Sequence, residues 1–94
     1  MSTGDYVLQG AQSANGVSTN SVIKAAPGRL VRVNVTTAGA AGAIYDSASV
    51  AGIAASNLIA VIPATVGVYF FDWPVVNGIT YIPGASQVAS ISFA

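Results

Sequence analysis

The chain has 94 residues, enough for one domain with a thin core of its own, and it contains neither cysteine nor histidine. Disulfides are therefore excluded, and a zinc site lacks its usual ligands. Only 6% of residues are Asp, Glu, Lys or Arg, the net charge is zero and the mean hydropathy is +0.67; an average domain carries about 25% charged residues. Small domains with thin cores are commonly stabilised by disulfides, metals or oligomerisation. Oligomerisation is the route left here. An uncharged, partly apolar surface favours association, and large exposed apolar patches mark contact sites.

Residues 1–20 are small and polar, with Gly4, Gly10 and Gly16 among Ser, Thr, Asn and Gln. They read as an N-terminal arm or loop, with a short strand only at Tyr6-Val7-Leu8 and loop over 9–19. Met1-Ser-Thr-Gly-Asp5 shows no basic or apolar leader, so no targeting signal is expected. Residues 21–94 read as the folded domain. Residues 21–25 are a short strand. Pro27-Gly28 suits the centre of a type II turn, with Gly28 supplying positive φ. The clearest strand covers 29–37, where Val31, Val33 and Val35 alternate with Arg32, Asn34 and Thr36. Leu30 breaks that alternation. Residues 43–46 form a short strand, and 47–56 a loop rich in Ala and Ser. Strands are expected over 57–62 and 66–73, with a turn at 63–65. Asn77-Gly78 is the strongest hairpin signal, because both residues tolerate the positive φ of a type I′ turn. It would join Val75-Val76 to a strand over 79–82. Pro83-Gly84 marks a further turn, and 87–93 alternates once more.

Seven short strands at close spacing, with no long helix, predict an all-β fold. The expected form is a small antiparallel β-sandwich, with the jelly roll among its variants. Strand order is not readable from the pattern. Two strands, 57–62 and 66–73, are apolar on both faces. A sandwich uses one face of each sheet for its core, so the second face calls for another cover, and a neighbouring subunit is the simplest. The candidate contact residues are Ile59 and Val61 on the first strand, if Leu58, Ala60 and Ile62 point in rather than the reverse, and Tyr69 and Phe71 on the second; the pattern does not tell which apolar face is core. Lys24, Arg29 and Arg32 are the only cations and lie within nine positions. They are read either as an anchor on an acidic partner or, slightly preferred, as solvated residues with Arg32 paired to Asp46.

Catalysis is not expected. The commonest base and the commonest soft nucleophile are missing, and glutamate is absent too. Asp5, Asp46 and Asp72 are scattered; Asp46 and Asp72 read as turn residues at strand ends. Ser21-Val-Ile-Lys24 matches a Ser-x-x-Lys spacing, but its companion motifs are absent and a strand would point the two side chains apart. No phosphate loop occurs, and no metal, cofactor or nucleic-acid partner is expected with three cations and no acidic cluster. Residues 47–71 carry no charge and are long enough to span a bilayer. Pro63, two glycines and five Ser, Thr or Asn residues argue against a span, and so do the flanking Asp46 and Asp72. Tyr69, Phe71 and Trp73 at period two read as sandwich interior, with a sugar-stacking platform as the alternative.

Three stretches carry a family resemblance: Ile23-Lys-Ala-Ala-Pro-Gly-Arg-Leu-Val-Arg-Val-Asn-Val35, Ala43-Ile-Tyr-Asp46 and Ile59-Ala-Val-Ile-Pro63. With Val75-Val-Asn-Gly-Ile79 and Pro83-Gly84 they resemble small structural proteins of tailed bacteriophages, over roughly residues 20–94. The resemblance implies a virion protein similar to the decoration, or cement, proteins of capsid surfaces. It implies the major capsid protein and sister copies, commonly as homotrimers, as partners, and the capsid surface as location. A tail or baseplate subunit would share these properties. A carbohydrate-binding module is the rival from another class.

Overall fold

The computed structural model describes residues 12–94. They form eight strands: β1 (Gln12–Val17), β2 (Ser21–Lys24), β3 (Gly28–Thr37), β4 (Gly42–Tyr45), β5 (Leu58–Ile62), β6 (Gly67–Val75), β7 (Ile79–Ile82) and β8 (Val88–Phe93). A single 3-10 turn, Ala55–Asn57, precedes β5. The strands make two four-stranded antiparallel sheets, ordered β1-β8-β3-β6 and β2-β7-β4-β5. β1 pairs with β8, β2 with β7, β3 with β6 and β4 with β5. These are the four rungs of one long hairpin rolled into two layers, and every link except β4–β5 crosses between sheets. That is the jelly-roll form of the β-sandwich.

The core lies between the layers. Leu30, Val33 and Val35 of β3, Ile44, Ile62, Ile79, Tyr81, Ile91 and Ala89 are fully buried, with Phe93 and Val75 closing the end. Period two explains most of this set. Ala89, Ile91 and Phe93 point inward from β8, and Ser90 and Ser92 are only partly covered. Leu30 is the exception explained by a bulge. The pairing of β3 with β8 slips between Leu30 and Arg32, so Val31 is an extra residue and Leu30 turns into the core.

Several expectations are corrected. Residues 9–19 are not all loop, because β1 occupies Gln12–Val17 and completes a sheet. Its polar sequence hides it: as an edge strand it needs only Ala14 and Val17 against the core, and Gly16, at φ +64°, absorbs a bulge. Tyr6-Val7-Leu8 lies outside the described residues. Gly28 does not adopt positive φ. It opens β3, where an added Cβ would stand 2.2 Å from the Ala94 carbonyl oxygen. Asn77-Gly78 is no type I′ hairpin either. β6 and β7 lie in different sheets, so 76–78 is a crossing, and neither residue has positive φ. Its shape comes from Asp46. That carboxylate accepts hydrogen bonds from the backbone N–H groups of Val76, Asn77 and Gly78 at 2.8–3.2 Å.

Candidate functional site

The two layers present opposite chemistry outward. Residues directly opposite in an antiparallel pair share a face. On the first sheet one outward row runs Ser13, Ser92, Arg32, Phe70, and the next holds Ser90, Asn34 and Val68. That face is polar until it reaches β6. On the second sheet the rows run Val22, Thr80, Tyr45, Leu58 and then Ile82, Ala43, Val61. Neither row contains a charge. Thr80 is covered because its hydroxyl donates to the Ser47 carbonyl at 2.8 Å, beneath the 47–56 loop. Val22, Leu58 and Val61 remain exposed.

β5 and β6 are the outer strands of the two sheets on the same side, joined by residues 63–66. Among the described residues, six of the nine exposed large apolar residues sit on them or their link: Leu58, Val61, Val66, Val68, Phe70 and Trp73. Phe70 is 74% exposed and Val61 60%. The candidate site is this margin together with the outward face of the second sheet.

The residues expected at the contact divide. Val61 points out as expected. Ile59 does not: a bulge between Ile44 and Tyr45 inserts it as the extra residue of β5, and it packs on the core beside Ala60. Leu58 takes its place outside. Tyr69 and Phe71 also pack on the core, which matches their reading as sandwich interior and removes them from the exposed contact set. Trp73, the third member of that stripe, is half exposed at the margin. Opposite Val31, β6 spends two residues, Phe71 and Asp72, and Asp72 takes φ +70°. Asp72 therefore lies inside a strand rather than at its end. Val68 and Phe70 were missed because both faces of 66–73 look alike in sequence. Only the register, with Val33 opposite Tyr69 and Asn34 opposite Val68, tells the faces apart.

Lys24 belongs to the second sheet, Arg29 and Arg32 to the first. Arg29 Nη1 lies 2.8 Å from Asp72 Oδ1 and also donates to the Asp72 carbonyl at 3.3 Å. Arg32 stands over the Phe70 ring, 5.4 Å from its centroid, rather than pairing with Asp46. Asp46 is partly covered, which by itself raises its pKa. The N–H groups of Asn77, Val76 and Gly78 outweigh that and hold it below the usual value. Ser21 donates to the Thr19 carbonyl, with no bond to Lys24.

Behind the margin sits one buried polar cluster. Gln87 is buried, and its Oε1 accepts from the Tyr81 hydroxyl and from the Gly84 N–H. Its Nε2 donates to the Pro63 carbonyl at 2.9 Å, which ties the β5–β6 link to the 83–87 turn. Burial pushes the Tyr81 hydroxyl up to about 12. Tyr69 reaches the same link, donating to the Thr65 carbonyl at 2.7 Å. The apolar margin is thus held on backbone anchored at two points. Among the described residues no pocket opens, no three of His, Cys, Asp and Glu come together, and no helix is long and apolar enough to cross a membrane.

No family model, no curated protein and no solved structure matches this chain.

Proposed function

We propose that the chain is a non-catalytic structural subunit, a decoration protein that covers and stabilises a tailed-phage capsid by packing on its major capsid protein. The observation that supports this reading is the uncharged outward face of β2-β7-β4-β5, on which Val22, Leu58 and Val61 stay exposed around the Thr80 that the 47–56 loop covers. A free small domain normally turns charge outward on a sheet face. Covering an apolar face of this kind is favourable by about 25 cal/mol per Å² of apolar area, and repetition over a lattice multiplies it. The resemblance of residues 20–94 to small virion proteins supplies the setting, with the capsid surface as location.

The test is mass spectrometry of purified virions, followed by rebinding to shells stripped of the chain. The expected result is a fixed copy ratio to the major capsid protein, and rebinding lost in Leu58→Asp and Val61→Asp variants that still fold. Absence from virions would overturn the reading. The exposed Phe70 and Trp73 favour one rival, a sugar-stacking platform. It predicts glycan binding abolished by Trp73→Ala.

A further inference from the structure

We propose that two copies of this chain join through the outer edge of β6, antiparallel about a two-fold axis centred on Tyr69, so that two four-stranded sheets become one of eight strands. The inference rests on the reading that the chain works in many copies. It adds which strand meets which.

An edge strand offers unpaired N–H and C=O groups, a template for another strand, and proteins guard such edges with bulges, proline or lysine. The four outer strands differ in this respect. β1 carries a bulge between Ala14 and Val17 with Gly16 in the left-handed region. β2 has four residues, a bulge and Lys24. β5 has a bulge at Ile59. β6 has nine residues, with its own bulge at 71–72 and Pro74 beyond it. Its first part is unguarded: Gly67, Val68, Tyr69 and Phe70 follow each other in regular register against Val35, Asn34, Val33 and Arg32. Among the described residues no strand pairs with its other side.

That segment is self-complementary. With Tyr69 on the axis, Val68 of one copy lies opposite Phe70 of the other, and the reverse. Both are outward, and aromatic–β-branched pairs across strands are favourable. Gly67 then lies opposite Phe71 on the inward side, where Tyr69 of the same copy already lies over the glycine. A strand of another protein would have to supply such a pattern; a second copy brings it by symmetry. No charge stands in the way. Asp72 is engaged by Arg29. The two Arg32 residues would be separated by three strand spacings, roughly 14 Å, beyond the screening length of about 8 Å at physiological salt.

Light scattering on the full chain across a dilution series reads the first consequence. The expected species is a dimer of about twice the 9.3 kDa chain mass, and Val68→Asp should raise its dissociation constant at least tenfold with an unchanged far-ultraviolet spectrum. Cross-linking reads the register, and it is clean because the chain has no cysteine of its own. An equimolar mixture of Val68→Cys and Phe70→Cys chains should oxidise mainly to the mixed disulfide. A monomer at all concentrations would overturn the pairing. So would a trimer, or cross-links with no preference for the mixed pair. All three leave the capsid reading standing, since that is judged by presence in virions.

Discussion

Replacing Val61 and Ile62 with aspartate, one at a time, tests the face assignment on which the candidate site depends. The two residues are neighbours on β5, so they differ in exposure and almost nothing else: Ile62 is fully buried opposite Gly42, and Val61 is 60% exposed opposite Ala43. Losing the buried isoleucine removes about 1.5–3 kcal/mol of transfer free energy. Burying a carboxyl group without a partner costs about 1–3 kcal/mol more. A chain of this size holds about 5–14 kcal/mol of stability in total. Ile62→Asp should therefore cost about 2.5–6 kcal/mol, a large fraction of that stability. Val61→Asp loses part of one surface contact and some strand propensity, about 1 kcal/mol at most. Urea unfolding of the dilute protein, followed by far-ultraviolet circular dichroism and by the fluorescence of its single tryptophan, Trp73, measures both. A one-residue slip of β5 would exchange the two faces. Equal losses, or a reversed order, would refute the assignment and with it the apolar face.

Four further outcomes follow from the packing. Gln87→Leu strands the Tyr81 hydroxyl and the Pro63 carbonyl, and should cost about 2–4 kcal/mol; adding Tyr81→Phe should restore part of it, a coupling that a double-mutant cycle in urea reads directly. Asp46 has a lowered pKa in the fold, so its contribution is complete above the unfolded value of 3.8 and disappears as the pH falls through the lower folded value. Asp46→Asn should cost about 1–2 kcal/mol at neutral pH and flatten the stability profile below pH 3.8, which acid titration followed by circular dichroism checks. Tyr81 is raised to about 12, so the unfolded chain ionises first and stability should decline from pH 10 to 12; Tyr81→Phe should remove that alkaline limb. Gly84→Ala places a Cβ 2.2 Å from the Ala40 carbonyl oxygen. A loss of about 1–3 kcal/mol in thermal unfolding is expected there.

Local chemistry carries most of the strand positions. Alternation in 29–37 and 87–93 comes from side chains that must divide between core and solvent, and a period of two is visible without any partner strand. The class of fold follows from that pattern, from the short spacing and from the absence of any long helical period. The scarcity of charge is likewise a property of composition.

Pairing decided the rest. β1 is polar because it is an edge, so nothing in its own residues announces a strand; β8 makes it one. Bulges at Val31 and Ile59 each insert one residue and exchange faces beyond it, which placed Leu30 and Ile59 inside and Leu58 outside, while the register of β6 on β3 left Val68 and Phe70 exposed. A bulge costs little locally and is chosen by the whole sheet, so alternation read along a single strand cannot locate it. Asn77-Gly78 failed as a hairpin for the same reason: its geometry answers to the Asp46 carboxylate, thirty residues away in sequence. Sequence by itself determined that this is a β-sandwich with more apolar surface than its own core uses. Which apolar residues remain outside was decided by strand register, a property of pairs of strands that no single strand contains.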